Sequence, residues 1–348
     1  MCIRDSYWHN PFDAETLWRR YEALVLRARA CGDSFGLFRA ITGCVTAACF
    51  LKDLDSANAD SQRLLDLAAE RPELRSMAHL FAYYACAGAG RCREGLEHIE
   101  TAIENLDVAI TGYPVGKDLT LTLRLNRVWA TAVAGDDAAW ASVSREYRKL
   151  GPDDAAARGD VLDLGIAALA ALWRGDDEAA ALWAELCRDR AVLLGRDELV
   201  DQYETILTVT RCRRGEHGAD ALVEPVRRWD EHGSAWGRTL FLLEIADTYR
   251  REGHEDGAWE ALERAWTPPV EAEYEAECWR ALGDLLGAFP DRRKSARALG
   301  VLPRRPSRRE CYEKAISIAT DLGIVVTERR ARAGLDDTVA PKLVSDAS

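Results

Sequence analysis

The sequence predicts an all-α fold, a solenoid of about seven helical hairpins, and three observations predict it. Apolar residues recur at i, i+3, i+4 and i+7 from Thr16 to Ala333, the spacing that gathers them on one face of a helix. Strand-type alternation is nearly absent, so no sheet is expected. A helix stop followed by a small polar turn returns at Gly90, Gly135, Gly175, Gly215 and Gly253, with separations of 45, 40, 40 and 38 residues. That is close enough to one period to demand a repeat architecture.

Each of these glycines stands where a helix must end, because a residue without Cβ takes the left-handed conformation that closes the last turn. Acidic residues then open the next helix, as in Asp136-Asp137, Asp176-Asp177-Glu178 and Glu255-Asp256, where they oppose the helix dipole. A second stop follows at Gly151, Gly195, Gly233 and Gly323. The unit is an A helix, a Gly turn and a B helix, which cannot hide its apolar stripe alone and must stack on its neighbours. The first helix runs from about Ala14 to Ala30. Hairpins follow over about 33–70, 72–106, 118–150, 153–195, 196–233, 235–267 and 270–322, with a half unit at each end. Pro225 falls inside one B helix and is expected to kink or shorten it. Residues 11–335 read as one array without an internal boundary. Residues 1–10 fit no repeat and read as an unstructured start, a possible assembly scar; residues 336–348 read as a disordered tail.

Composition agrees with this. At 348 residues the chain could be two compact domains or one array, and the period selects the array. A composition 48% hydrophobic and 30% charged is globular, and a net charge of −12 repels polyphosphate and anionic membranes, which argues against nucleic-acid and membrane partners. The longest apolar stretch, Val161 to Trp173, carries Asp163 and is too short to span a bilayer. Of the ten cysteines, Cys44, Cys86, Cys187, Cys212, Cys278 and Cys311 occupy helical positions where alanine would also fit; they read as small core residues in a reducing cytosol. The spacings Cys44 to Cys49 and Cys86 to Cys92 lack a completing pair or histidine couple, so no metal and no cofactor are expected.

Leu242, Ile245, Ala246, Tyr249, Gly253, Ala258, Leu262 and Ala265 stand at the offsets by which tetratricopeptide repeats pack A helix on B helix, and Ala82, Cys86, Gly90, Gly95, Ile99 and Ala102 nearly repeat them. Trp279, Leu282 and Gly283 form a W-x-x-L-G helix start, with Leu286 where that family prefers tyrosine. The chain therefore resembles a tetratricopeptide-like array, and the resemblance implies a right-handed solenoid. From about 60 to 335 there is a narrower resemblance, carried by ECWRALGDLL (Glu277 to Leu286), ECYEKAISIATDLG (Glu310 to Gly323), ERRARAGL (Glu328 to Leu335) and the run Thr239 to Trp266. It is similar to the helical-repeat tail of bacterial signal-transduction ATPase regulators that carry adenylate or guanylate cyclase-type or LuxR-type domains. Neither an ATPase nor a cyclase segment is present, so the family's activity does not transfer; the chain reads as a fragment or stand-alone homologue of the tail. Lacking a preceding repeat, the first helix is then expected to expose Leu17, Tyr21, Leu24 and Leu26.

No catalytic residue is assigned. Gly32-Asp33-Ser34-Phe35-Gly36 matches a nucleophile elbow, but a helix precedes it instead of a strand; an inter-helix loop capped by Asp33 or Ser34 is the better account. Gly112 to Asp118 is one residue short of a phosphate loop and ends in a carboxylate. None of His9, His79, His98, His217, His232 and His254 pairs with another at i+3 or i+4. The alternating Glu271, Glu273, Glu275 and Glu277 point to different helix faces and read as first-turn dipole compensation. The segment 288–308 reads as a basic inserted loop, with Arg292, Arg293, Lys294, Arg297, Arg304, Arg305, Arg308 and Arg309 in and beside it, broken by Pro303 and Pro306.

The reading that follows is a non-enzymatic module for protein–protein interaction in a signalling or transcription-regulatory protein. A protein or peptide partner, or the chain's own missing ATPase, cyclase or DNA-binding domain, would lie in the concave groove. In such arrays the A helices line it, which places Asp247, Arg250, Arg251, Glu277, Arg280 and Asp284 as recognition residues, with cross-repeat ion pairing as their other reading. A small-molecule-sensing solenoid is the alternative, and a hydrolase using Ser34 ranks last. A cytoplasmic location is expected.

Overall fold

The structure, a computed structural model, describes residues 14–51, 53–106, 119–148, 161–231, 237–267, 272–290 and 306–339. These form sixteen α-helices and one short 3₁₀ turn, with no strand among the described residues. In chain order they are α1 (Ala14–Cys31), α2 (Ser34–Leu51), α3 (Leu54–Ala69), α4 (Arg75–Gly88), α5 (Cys92–Glu104), α6 (Leu119–Ala134), α7 (Asp137–Arg148) and α8 (Val161–Arg174). Then follow α9 (Asp177–Leu193), α10 (Asp197–Arg213), α11 (Asp220–Glu231), α12 (Arg238–Glu252), α13 (Glu255–Ala265), α14 (Ala272–Ala288), α15 (Arg308–Leu322) and α16 (Val325–Val339). Successive helices pack as neighbours from α1 to α7 and from α9 to α16, and some of those two apart touch as well, α12 on α14 and α14 on α16 among them. That is the all-α repeat packing predicted from the period. No described helix is long and apolar enough to cross a membrane.

The chain packs as two compact units, Met1–Ala170 and Ala171–Ser348, where the periodicity marks no boundary. Phe38, Ile41, Val45, Leu64 and Leu74 form one core of the first unit; Leu80, Tyr83, Ile99 and Leu123 form another. In the second unit the largest buried side chains include Trp173, Tyr203, Phe241, Tyr274 and Tyr312. Trp173 meets Tyr274 edge-on at 5.2 Å, and Trp266 meets Trp279 in the same way at 5.1 Å. The tetratricopeptide-like positions Leu242, Ile245, Ala246, Ala258, Leu262 and Ala265 are all buried, and Cys44, Cys86, Cys187, Cys212, Cys278 and Cys311 are buried thiols.

Gly253 shows how the turn works: at φ +75° it closes α12, and the next amide, of His254, donates back to the Tyr249 carbonyl at 2.9 Å. Gly90, Gly175, Gly195, Gly215 and Gly323 share this conformation. Gly135 does not. It ends α6 without a left-handed φ, and it is the tight approach to Thr131 that excludes a side chain, since a Cβ would sit 2.7 Å from the Thr131 carbonyl oxygen. Pro225 does not end its helix: α11 runs twelve residues, from Asp220 to Glu231, through it. A proline in the second turn costs the helix one backbone bond. The last helix continues past the expected end at Leu335 to Val339; no glycine or proline intervenes until Pro341, which disfavours helix in the residue before it. On α1, Leu24 and Leu26 are 48% and 67% exposed, while Leu17 and Tyr21 are half-buried. The stops at Gly151 and Gly233, the Gly112–Asp118 loop, His9, His232, residues 1–10 and residues 340–348 lie outside the described residues.

Candidate functional site

Every helix of the second unit that the period designates an A helix beyond α8, namely α10, α12, α14 and α16, contributes to one row of paired charges. At its start Arg213 donates to Asp177 at 2.8 Å, to the Leu172 carbonyl at 3.0 Å and through Nε to Glu244 at 3.0 Å. Burial alone would lower its pKa, but Glu244 and Asp177 outweigh that and hold it above the ordinary value. One turn along α12, Asp247 accepts from Arg250 at 2.7 Å and from Arg251 at 3.1 Å; Arg251 also donates to the Cys212 carbonyl of α10 at 3.3 Å. Burial raises the Asp247 pKa, and its arginine neighbours, Arg280 of α14 included, more than reverse this.

Glu277 is the hub of the row. Its side chain is 4% exposed, and its carboxylate accepts from Arg280, from Thr327 at 2.8 Å and from Arg330 at 3.2 Å. Burial pushes the carboxyl up, and Arg280 and Arg330 overcome it, bringing the pKa down to about 2. Arg280 also reaches Asp284, which accepts from the Tyr312 hydroxyl at 2.6 Å; Arg330 donates further to the Trp173 carbonyl at 2.6 Å. Tyr312 fits beside Asp284 because Gly283 and Gly334 leave room for its ring: a Cβ at either would come within 2.8 and 2.6 Å of it. Glu277 is therefore an interior charge, and dipole compensation does not describe it. Glu275 is exposed in the first turn of α14, Glu271 lies outside the described residues, and nothing is described of the Glu273 side chain.

The structure thus brings all six sequence-chosen groove residues into one network and adds Arg213, Glu244, Thr327 and Arg330. Arg330 lies 53 positions from Glu277, too far for any local pattern to connect them. Arg250, Arg251 and Arg330 keep about a third of their side chains at the surface, with 30%, 34% and 33% exposed. The row offers paired charge and partly exposed hydrogen-bond donors.

The first unit holds a cleft of about 360 Å³ between α1, α2 and α3, with Trp18, Val25 and Cys44 among its apolar lining and Glu22, Arg29, Asp60 and Arg63 among its charged lining. Burial raises the Asp60 pKa against the pull of Arg63, and burial together with Asp60 holds the Cys44 thiol up at about 12.

Ser34 opens α2; Asp33 accepts from the Gly36 amide at 2.8 Å, and the Ser34 hydroxyl accepts from Arg71 at 2.9 Å. Of the basic loop, Arg292, Arg293, Lys294, Arg297, Arg304 and Arg305 lie outside the described residues. Arg308 and Arg309 are not loop residues but the first two of α15, after the Ser307 cap; Arg308 stacks 5.4 Å from the Tyr312 ring centre, and Arg309 pairs with Glu313 at 2.7 Å. His217 and His254 are exposed, and His254 accepts from the Gly257 amide as the cap of α13. His79 and His98, unpaired by sequence spacing, meet across α4 and α5 with Nδ1 atoms 2.9 Å apart.

No family model matches the chain, and no curated protein matches it. Among solved structures it is similar to a circular tandem repeat protein with novel repeat topology and enhanced subunit contact surfaces. That similarity is 14% identical and covers 93% of this chain and 88% of the other, at a TM-score of 0.25. An overlap of that quality carries no structural argument, so the helical-repeat fold rests on the chain's own helices and their packing.

Proposed function

We propose that the chain is a non-enzymatic helical-repeat module that binds a protein or peptide segment along the A-helix face of its second unit, in the cytoplasm, as part of a signalling or transcription-regulatory protein. One observation carries this reading: a continuous row of charges crosses α10, α12, α14 and α16, fixed from below by Glu277 and leaving Arg250, Arg251 and Arg330 partly at the surface. Arginines held in place by their own carboxylates lose little side-chain entropy on binding, and their planar fork suits carboxylate and carbonyl acceptors. The resemblance to regulator tails supplies the setting.

The test is affinity for a captured partner. Arg250→Ala with Arg251→Ala is expected to weaken it about tenfold or more, the effect of losing about 1.4 kcal/mol of contact. Arg332→Ala, which removes an exposed cation outside the row, is expected to leave it unchanged. Equal affinity for all three proteins defeats the assignment. The second reading is a small-molecule sensor, for which the half-open cleft of the first unit, about 360 Å³, is the candidate site. A metabolite that raises the melting temperature at micromolar concentration, and loses that effect in Arg63→Ala, would favour it.

A further inference from the structure

We propose that the α4–α5 hairpin binds one divalent transition-metal ion of the zinc type through Cys86 Sγ, a Glu94 carboxylate oxygen and His98 Nε2, with water completing the shell. The donor atoms of these three residues all lie within 4.8 Å of one another. Glu94 and His98 are four apart on α5 and so share a face. Cys86, in the last turn of α4, meets them where α4 packs on α5 beside Gly95: a Cβ at Gly95 would lie in ordinary contact with the Tyr83 ring at 3.4 Å and the Cys86 Cβ at 3.5 Å.

Two features separate this group from a chance polar cluster. His98 Nε2 stands 3.9 Å from Glu94 Oε1, too long for a hydrogen bond. It is a few tenths of an ångström beyond the N···O edge of roughly 3.4 Å that tetrahedral zinc at ordinary bond lengths gives. Each of these two ligands also has the outer partner that metal sites use to fix orientation. His98 Nδ1 lies 2.9 Å from His79 Nδ1; with His98 as donor and His79 as acceptor, the Nε2 lone pair is left for the metal. Glu94 is held by Arg91, whose Nη1 is 2.8 Å from both carboxylate oxygens, and a carboxylate has lone pairs enough for both an arginine and a cation.

A thiolate, an imidazole and a carboxylate make a borderline-soft set suited to zinc, and three protein ligands leave a fourth position for water. Glu94 is 47% exposed while Cys86 is 2% exposed, so the ion enters from the Glu94 side. On binding, the Cys86 S–H bond breaks, sulfur bonds the metal, and the proton leaves to buffer. Coordination by a divalent ion is what deprotonates the thiol. The ion would tie α4 to α5.

The chelator-treated 348-residue chain is titrated with Co²⁺ and then Zn²⁺. The expected result is thiolate-to-cobalt charge-transfer absorption in the near ultraviolet that saturates at one equivalent and is bleached by zinc. Cys86→Ala, a mild change where the position packs like alanine, is expected to abolish that band with the helical circular dichroism intact. Glu94→Gln and His98→Gln should each lower zinc affinity by about 10-fold or more, and His79→Gln by about 10- to 100-fold as an orienting partner. No charge-transfer band in the unmodified chain, a band that survives Cys86→Ala, or zinc affinity equal in the chain and its Glu94→Gln and His98→Gln variants would each overturn the site.

Discussion

Glu277→Gln removes the charge at the centre of the second unit and keeps the side-chain volume. The carboxyl is brought from 4.5 to about 2 by its arginines against the opposing effect of burial; at about 1.4 kcal/mol per pH unit that difference corresponds to about 3 kcal/mol of folding free energy. Breaking a buried ion pair by deleting one partner costs about 3 to 5 kcal/mol in other proteins, so two independent routes give the same size. The expected measurement is a fall of about 3 kcal/mol in unfolding free energy by urea denaturation at pH 7, followed by circular dichroism. Because the folded-state pKa is depressed, the stabilisation is complete above about pH 4.5 and is lost as pH falls towards about 2. The difference between the two proteins should therefore narrow over that window. A difference below about 1 kcal/mol at pH 7, or one that stays constant down to pH 3, would refute the account of Glu277 as a charge that stabilises through its partners.

Four further outcomes follow. Gly334→Val places a Cβ within 2.6 Å of the Tyr312 ring and should destabilise by about 1 to 3 kcal/mol as overpacking. Gly88→Ala, whose Cβ would meet only Leu54 at 3.5 Å, should be neutral or stabilise by up to about 1 kcal/mol by chain-entropy loss in the unfolded state; thermal denaturation reads both. Ser307→Ala deletes the capping box with Glu310 at the start of α15 and should cost about 1 kcal/mol, again by urea midpoint. Asp60→Asn should raise the urea midpoint at pH 7, because the folded-state pKa is raised by burial and the ionised form opposes folding above the usual carboxylate range; the gain should shrink as pH falls below about 4.

Local sequence determined the elements, because their causes are local. The turn glycines, the acidic helix starts and the apolar period act within one or two turns, so the hairpins from α2/α3 to α14/α15 stand where the period puts them. Where a local rule had two mechanisms the structure chose between them: Gly135 is required by the nearness of Thr131 and not by a left-handed turn, and Pro225 sits where one lost backbone bond leaves α11 unbroken. The charged face was half legible. Asp247, Arg250, Arg251, Glu277, Arg280 and Asp284 could be chosen from their helix offsets, yet it took the packed second unit to place Glu277 in the interior beneath Thr327 and Arg330. Only tertiary structure could set His98 against His79 and bring Cys86 to Glu94, since a helix period relates residues three and four apart on one helix. Contacts between helices depend on how closely two backbones approach, and that is fixed by packing, not by spacing along the chain.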